Sequence, residues 1–219
     1  MVPCPMMTKL RFKTHADIPL GGSLDVEQRI AHAPRHVTVK GMFLAPHAAA
    51  IGARFPTFAQ TLLRPPRDGH YVQFSDYPLA DYYRVIFEGA ACSHPHLPLR
   101  EACRQASRSH MQAFATSTLG SVMLSMITSA EEALLAMPNM FARGSSGITV
   151  TAQREGSGVL VEMQNIGGVQ DCSAIGTLEG FVLYYGGKPR IDVDLVGSNR
   201  ALYLVTSEPG RSQPQPLAR

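Results

Sequence analysis

Ile148-Thr-Val-Thr-Ala-Gln153 and Val159-Leu-Val-Glu-Met-Gln164 alternate apolar and polar side chains on either side of the turn Glu155-Gly-Ser-Gly158. Side chains of a strand point to opposite faces in turn, so this alternation marks two half-buried strands joined as a hairpin. A second pair, Ile191–Val196 and Ala201–Val205, flanks the turn Gly197-Ser-Asn-Arg200. Between the pairs, Ile175, Leu178, Val182 and Leu183 recur at helical spacing. Asp171 or Ser173 is placed to cap this helix, and Gly186-Gly187, with Pro189 beyond, ends it. Residues 147–166 and 189–206 are therefore expected to form two hairpins separated by one amphipathic helix.

Upstream, the periodicity is helical. Ser23 is placed as the N-cap of a short helix Leu24–Ala33 that stops at Pro34. The stretch Val37-Thr-Val-Lys-Gly-Met-Phe-Leu44 fits either a strand or the entry to a helix. Pro46–Ala53 reads as a helix with Pro46 in its first turn, and Thr57–Leu63 as a second helical piece ended by Pro65-Pro66. Pro78 opens a helix Leu79–Ala91, with apolar Tyr82, Val85, Ile86 and Ala90 on one face. A long helix is expected from Leu99 to about Ile127, then a short one from Glu131 to Met137 ended by Pro138. Gly144-Ser-Ser-Gly147 reads as a linker. The expected class is α+β: a helical N-terminal half followed by an antiparallel β-hairpin–helix–β-hairpin unit. Residues 1–22 are expected to be a flexible lead-in and 23–207 a single domain, mainly helical over 23–143 and ββαββ over 144–207. Residues 208–219, rich in Pro, Ser and Gln, are expected to be a disordered tail.

Composition narrows the function classes. Charged residues make up 17% of the 219, against the usual quarter, so much of the surface is neutral or apolar. The net charge of +3 is carried by scattered arginines without a dense basic run, which argues against nucleic-acid binding. The four cysteines, Cys4, Cys92, Cys103 and Cys172, include no Cys-x-x-Cys pair. No secretory leader is evident, and the longest apolar stretch, around Leu119–Ile127, is too short and too interrupted to span a bilayer. A cytoplasmic protein with reduced thiols is the expectation.

Five short stretches carry a family resemblance. They are Val39-Lys-Gly-Met-Phe-Leu44, Tyr77-Pro-Leu-Ala-Asp-Tyr-Tyr-Arg84, Leu97-Pro-Leu-Arg-Glu-Ala102, Phe114-Ala-Thr-Ser-Thr-Leu-Gly120 and Gly176-Thr-Leu-Glu-Gly180. In this order they resemble the Myxococcales-restricted domain of unknown function 2378, over roughly residues 24–206. The C-terminal half is more distantly similar to a group holding four-vinyl-reductase-type ligand-binding domains, transport-particle subunits of the Bet3 type and haem nitric-oxide-binding domains. The shared feature is a helix that starts after a cysteine corner, carries Gly-x-x-x-Gly and is flanked by hairpins, here Cys172 with Gly176 and Gly180. The resemblance implies binding of small apolar ligands, of haem, or of one copy by another, rather than catalysis.

No catalytic set stands out. Gly-x-Ser-x-Gly, Walker and dinucleotide fingerprints are absent from the sequence. Cys92, His94, His96 and Cys103 are the densest set of metal-ligand types, and zinc would need all four in tetrahedral reach. The alternative is a loop with two exposed imidazoles beside two core thiols. His110 is a candidate haem ligand, although no Tyr-x-Ser-x-Arg run accompanies it, and otherwise a core histidine. Arg100, Arg104 and Arg108 form a stripe, either a phosphate or acidic-partner site or a solvated face. Gly176 and Gly180 mark a ligand edge or close helix packing. Cys172, at a helix start, is a candidate low-pKa thiol. Phe114 and Met123 are candidate ligand contacts, within helices rich in methionine (Met123, Met126, Met137, Met140).

The expectation is a non-enzymatic binding or sensory module, with an apolar cavity between helices and sheet for a small apolar ligand. The alternative is an interaction or scaffold subunit working through a homodimer or a protein partner. A metal-dependent role for Cys92, His94, His96 and Cys103 comes last. No cofactor is favoured, with haem and zinc the two considered.

Overall fold

The computed structural model describes residues 13–14 and 24–208. The rest of the expected lead-in and nearly all of the expected C-terminal tail lie outside the described residues. The fold is α+β, with a helical N-terminal half followed by an antiparallel hairpin–helix–hairpin unit.

Both hairpins form where the alternation puts them. Strands β5 (Thr149–Glu155) and β6 (Gly158–Gln164) pair antiparallel, as do β7 (Lys188–Leu195) and β8 (Arg200–Glu208). The hairpins join through β6 against β8, with Val161 opposite Tyr203. A short strand β1 (Lys13–Thr14) adds to β7, so the five-stranded order is β1-β7-β8-β6-β5. Burial alternates strictly along β6, where Val159, Val161 and Met163 face the core. Helix α9 (Ser173–Tyr184) lies against β7. Its N-cap is Cys172 rather than Asp171 or Ser173, and no side chain caps it. Asp171 is engaged elsewhere, as described below.

The helical half begins with α1 (Val26–Ala31), whose N-cap is Asp25, the side chain accepting from Gln28 N; the expected cap, Ser23, lies outside the described residues. Val37–Leu44 turns out to be both of its readings: β2 (Thr38–Lys40) runs directly into α2 (Gly41–Ile51). Pro46 therefore sits in the helix interior, not its first turn, at the cost of one backbone donor. A 3₁₀ turn (Gly52–Arg54) and α3 (Phe55–Ala59) follow. Then β3 (Asp76–Pro78) leads into α4 (Leu79–Ser93), which starts right after Pro78 as expected.

Three helices replace the expected single one. They are α5 (Leu99–Ser107), α6 (His110–Thr116) and α7 (Thr118–Leu124). The break after α6 is local chemistry. Ser117 adopts an extended backbone, its hydroxyl donates to Phe114 O at 2.6 Å and accepts from Gly120 N at 3.0 Å. Gly120 is needed there, since a Cβ would stand 1.8 Å from Phe114 O. Helix α8 (Ala130–Gly144) runs through Pro138 instead of stopping before it. It is opened by a reciprocal cap: Ser129 Oγ accepts from Glu132 N, and Glu132 accepts from Thr128 N. The expected linker at 144–147 holds β4 (Ser145–Ser146), which pairs with β2 in a second sheet of order β3-β2-β4. Among the described residues, no helix is long and apolar enough to cross a membrane.

Candidate functional site

Two buried regions, one charged and one largely apolar, meet at α9. The first is its contact with α5. The stripe of Arg100, Arg104 and Arg108 turns inward, and Arg100 and Arg104 are only 9% and 7% exposed. The solvated-face and free-anion-site readings are both corrected by this burial. Arg100 Nε donates to Asp171 at 3.0 Å, and Arg29 of α1 grips the same carboxylate with both terminal nitrogens at 2.6 and 2.9 Å. Glu179 accepts from Arg104 at 2.5 and 3.0 Å and from Arg108 at 2.8 Å, while Arg104 also reaches Glu101 at 3.0 Å. Burial pushes both acids toward the neutral form, but the arginines outweigh it and hold Asp171 and Glu179 below the usual carboxylate range.

Gly176 and Gly180 belong to the same contact. A Cβ on Gly176 would stand 2.0 Å from Arg104 O, and one on Gly180 would stand 2.4 Å from Arg108 O. They let two helix backbones touch, and neither lines the cavity described next. Ser107 donates to Ser173 Oγ at 2.9 Å in the same interface. Cys172 is fully buried here. Its pKa is raised well above the ordinary thiol value by burial and by the neighbouring Cys103 and Asp171. The expectation of a reactive thiolate at a helix start is therefore reversed, because burial beside an anion outweighs the helix end.

The second region is a cavity of about 80 Å³ between α2, α6, α8, α9 and the hairpin sheet. Its walls are Phe43 (α2), Phe114 and Met111 (α6), Met140 and Phe141 (α8), Met163 (β6), and Ala174 and Phe181 (α9), with Ile148, Ile166 and Val169 from the loops. Phe43 and Phe114 lie nearly parallel, with centroids 6.4 Å apart. The polar groups on the wall are few. They include Tyr82, whose hydroxyl is 3.4 Å from Ser173 Oγ, and His110, whose Nδ1 is 3.0 Å from Thr177 Oγ1. No Lys, Arg, Asp or Glu reaches the lining.

Behind that wall His110 meets His47 of α2. Their Nε2 atoms are 2.5 Å apart and the rings are perpendicular, at 89°. Burial keeps His110 neutral, with its pKa lowered to about 4, and burial together with His110 drives His47 well below its ordinary value. The Thr177 contact fits a His110 that donates from Nδ1 and accepts at Nε2, which makes His47 the donor. Nothing in the sequence singled out His47. It lies one residue after a proline in an alanine-rich helix, 63 positions from its partner.

Of the expected ligand contacts, Phe114 lines the cavity. Cys172, Gly176, Gly180 and Met123 do not. The expected metal set is not assembled. Among the described residues, no three of His, Cys, Asp and Glu come together to hold an ion. Cys103 is buried on α5, Cys92 takes a hydrogen bond from Arg54, and His96 is exposed beyond the end of α4.

The chain belongs to the family described as protein of unknown function (DUF2378), whose sequence model matches residues 33–206. None of the curated proteins matches it significantly. Solved structures of similar fold include H-NOX domains. The unliganded Fe(II) H-NOX protein from K. algicida aligns with a TM-score of 0.58 and 8% identity, over 79% of this chain and 98% of that one. An oxygen-binding H-NOX domain related to soluble guanylate cyclases, in its oxygen complex, gives 0.55 and 12%, over 82% and 99%. A T. Tengcongensis H-NOX variant gives 0.53 and 13%, over 79% and 100%. A further neighbour, with a TM-score of 0.55 and 12% identity over 80% of this chain and 98% of its own, comes from work on haem distortion in the H-NOX family. At these identities the likeness is one of fold.

Proposed function

We propose that this chain is a non-enzymatic sensory module that binds a small, uncharged, apolar molecule between its helices and its hairpin sheet. The observation that carries this reading is the cavity wall: aromatic rings and thioethers with no charged group and only a few neutral hydrogen-bonding groups. Such a wall favours an apolar occupant and rejects an ion, whose desolvation nothing would offset. Size sets the class. An apolar cavity of about 150 Å³ takes benzene or xenon, so about 80 Å³ suits a molecule of a few heavy atoms.

The residues present do not fit a haem, which the H-NOX neighbours bring to mind. The cavity is far smaller than a tetrapyrrole and has no arginine or lysine on its wall for the propionates. Both ring nitrogens of His110 are already engaged, by His47 and Thr177.

The reading is tested by filling the room. Ala174 lines the cavity from α9, and Ala174→Leu places three further carbons in it. Native mass spectrometry and thermal melts are run with and without small hydrocarbons. The native chain should be stabilised by saturating ligand and Ala174→Leu should not. Equal responses in both would reject the reading.

A second reading, an interaction subunit, draws on α7 and the turn that follows it, where Val122 and Met126 are 70% and 88% exposed. It expects a concentration-dependent mass in sedimentation that Met126→Lys abolishes.

A further inference from the structure

We propose that the molecule held in this cavity is a short ketone or aldehyde, whose single carbonyl oxygen accepts from the hydroxyls of Tyr82 and Thr177. This deepens the apolar-ligand reading of the cavity and rests on it.

Two hydroxyl protons of the wall lack a good acceptor. Tyr82 and Thr177 both line the cavity. Thr177 Oγ1 accepts from His110 Nδ1 at 3.0 Å, and among the described residues no acceptor takes its own proton. The Tyr82 hydroxyl has one contact, Ser173 Oγ at 3.4 Å, against about 2.7–2.8 Å for a good hydroxyl pair. Burial raises the pKa of this phenol, so it stays a neutral donor. The other polar groups of the wall are engaged. His110 is held by His47 and Thr177, Ser145 donates to the Phe141 carbonyl, and Ser173 is bonded to Ser107 at 2.9 Å. Buried donors are normally paired, so two unspent ones on one wall point to a partner that the chain itself does not supply.

Geometry brings both donors to one oxygen. Ser173 and Thr177 are one turn apart on the same face of α9. The Tyr82 hydroxyl stands beside Ser173, and the Tyr82 ring lies 6.4 Å from that of His110, which Thr177 touches. Both hydroxyls therefore sit at the same end of the cavity. Side chains one turn apart on a helix are roughly 5–6 Å apart, and an oxygen bonded to two hydroxyls at about 2.8 Å each spans that gap. A carbonyl oxygen has two lone pairs and no proton, so it takes both bonds. An alcohol would bring a further proton to a corner already rich in them. A carboxylate would bring a charge that no lysine or arginine of the wall meets. The carbon body of the ligand then faces Phe43, Phe114, Met140 and Phe141.

The test compares acetone with 2-methylpropene, which has the same shape with a methylene in place of the oxygen. Each is titrated into the full native chain and followed by ¹³C spectra. The methyls of Met111 and Met140 report filling of the cavity. Tyr82 Cζ and Thr177 Cβ, the carbons that bear the hydroxyls, report the hydrogen bonds. Both ligands should move the methionine methyls, and acetone should move Tyr82 Cζ and Thr177 Cβ more than 2-methylpropene does. In Tyr82→Phe and in Thr177→Val, affinity for acetone relative to 2-methylpropene should fall about fivefold, the loss expected when one hydrogen bond to a buried oxygen is removed. Should a variant fail to fold, the spectra of the native chain decide. Methionine shifts with 2-methylpropene alone, or with both ligands but equal responses at Tyr82 Cζ and Thr177 Cβ, would overturn the carbonyl proposal and leave the apolar-ligand reading standing. So would an unchanged relative affinity in the folded variants. Tighter binding of 2-propanol than of acetone would overturn the choice of a carbonyl over an alcohol. No methionine shift with either ligand would overturn both readings.

Discussion

Helix α9 is polar on two of its sides, and the two sides are built on opposite principles. Toward α5 it offers Glu179, with Asp171 just before its start, and each carboxylate is met by two arginines. Toward the cavity it offers Thr177, which meets one imidazole of a pair that has no counter-charge. A buried charge that is fully paired fixes one arrangement of the helices, and losing a partner strands the other. A buried neutral pair in an apolar room costs less, because neither ring carries a charge to be desolvated. The arginine contact is thus architecture, and the histidine contact with its adjoining cavity is the candidate site.

The largest expected effect falls on the architectural side. Glu179→Leu leaves Arg104 with Glu101 alone and takes the carboxylate from half-buried Arg108, and should cost about 3–5 kcal/mol in urea unfolding. A loss under 1 kcal/mol would mean the ion pairs are not buried as described. Gly176→Ala comes next, because its methyl would meet the Arg104 carbonyl and push α5 from α9. About 1–3 kcal/mol is expected, the range for overpacking a tight contact.

Acid separates the two regions. A histidine whose folded pKa is lowered binds its proton more weakly than the unfolded chain does. Its contribution to stability is therefore complete above pH 6.5 and falls as the pH drops below that value. With His110 at about 4 against 6.5 unfolded, the fall should reach roughly 3 kcal/mol near pH 4, at 1.36 kcal/mol per unit. Asp171 and Glu179 are lowered carboxylates. Their stabilisation is present above the ordinary carboxylate pKa and fades only as pH falls through their lower folded values. Unfolding followed from pH 7 to 4.5 should thus lose stability through the histidines alone, and the loss should shrink in His47→Leu/His110→Leu. A flat profile over that window would contradict the buried neutral pair. The smallest effect is expected at exposed His96, where alanine should change stability by less than about 0.5 kcal/mol and leave metal content unchanged.

The hairpins and α9 were legible because alternation and helical spacing are local signals, and Gly156 and Gly197 take the positive φ that their turns require. Breaks and continuations in the helical half were not. Pro46 and Pro138 each sit inside a helix that tertiary packing carries past them, so proline misled as a stop sign. The end of α6 depends on Ser117 folding back onto Phe114, which composition does not announce. The arginine stripe was visible, but its partners lie 71 and 75 residues away, so its burial was not. The site was the least legible part. Phe114 could be named as a contact, whereas His47 and His110 acquire meaning only when α2 and α6 are brought together.

Xenon binding followed through methionine methyl resonances tests the central claim most directly. Met111, Met140 and Met163 border the cavity, while Met126 is exposed and outside it. Saturable xenon-dependent shifts confined to Met111, Met140 and Met163 are the expected result. Shifts that are absent at those three, or equal there and at Met126, would contradict an apolar ligand site between the helices and the sheet.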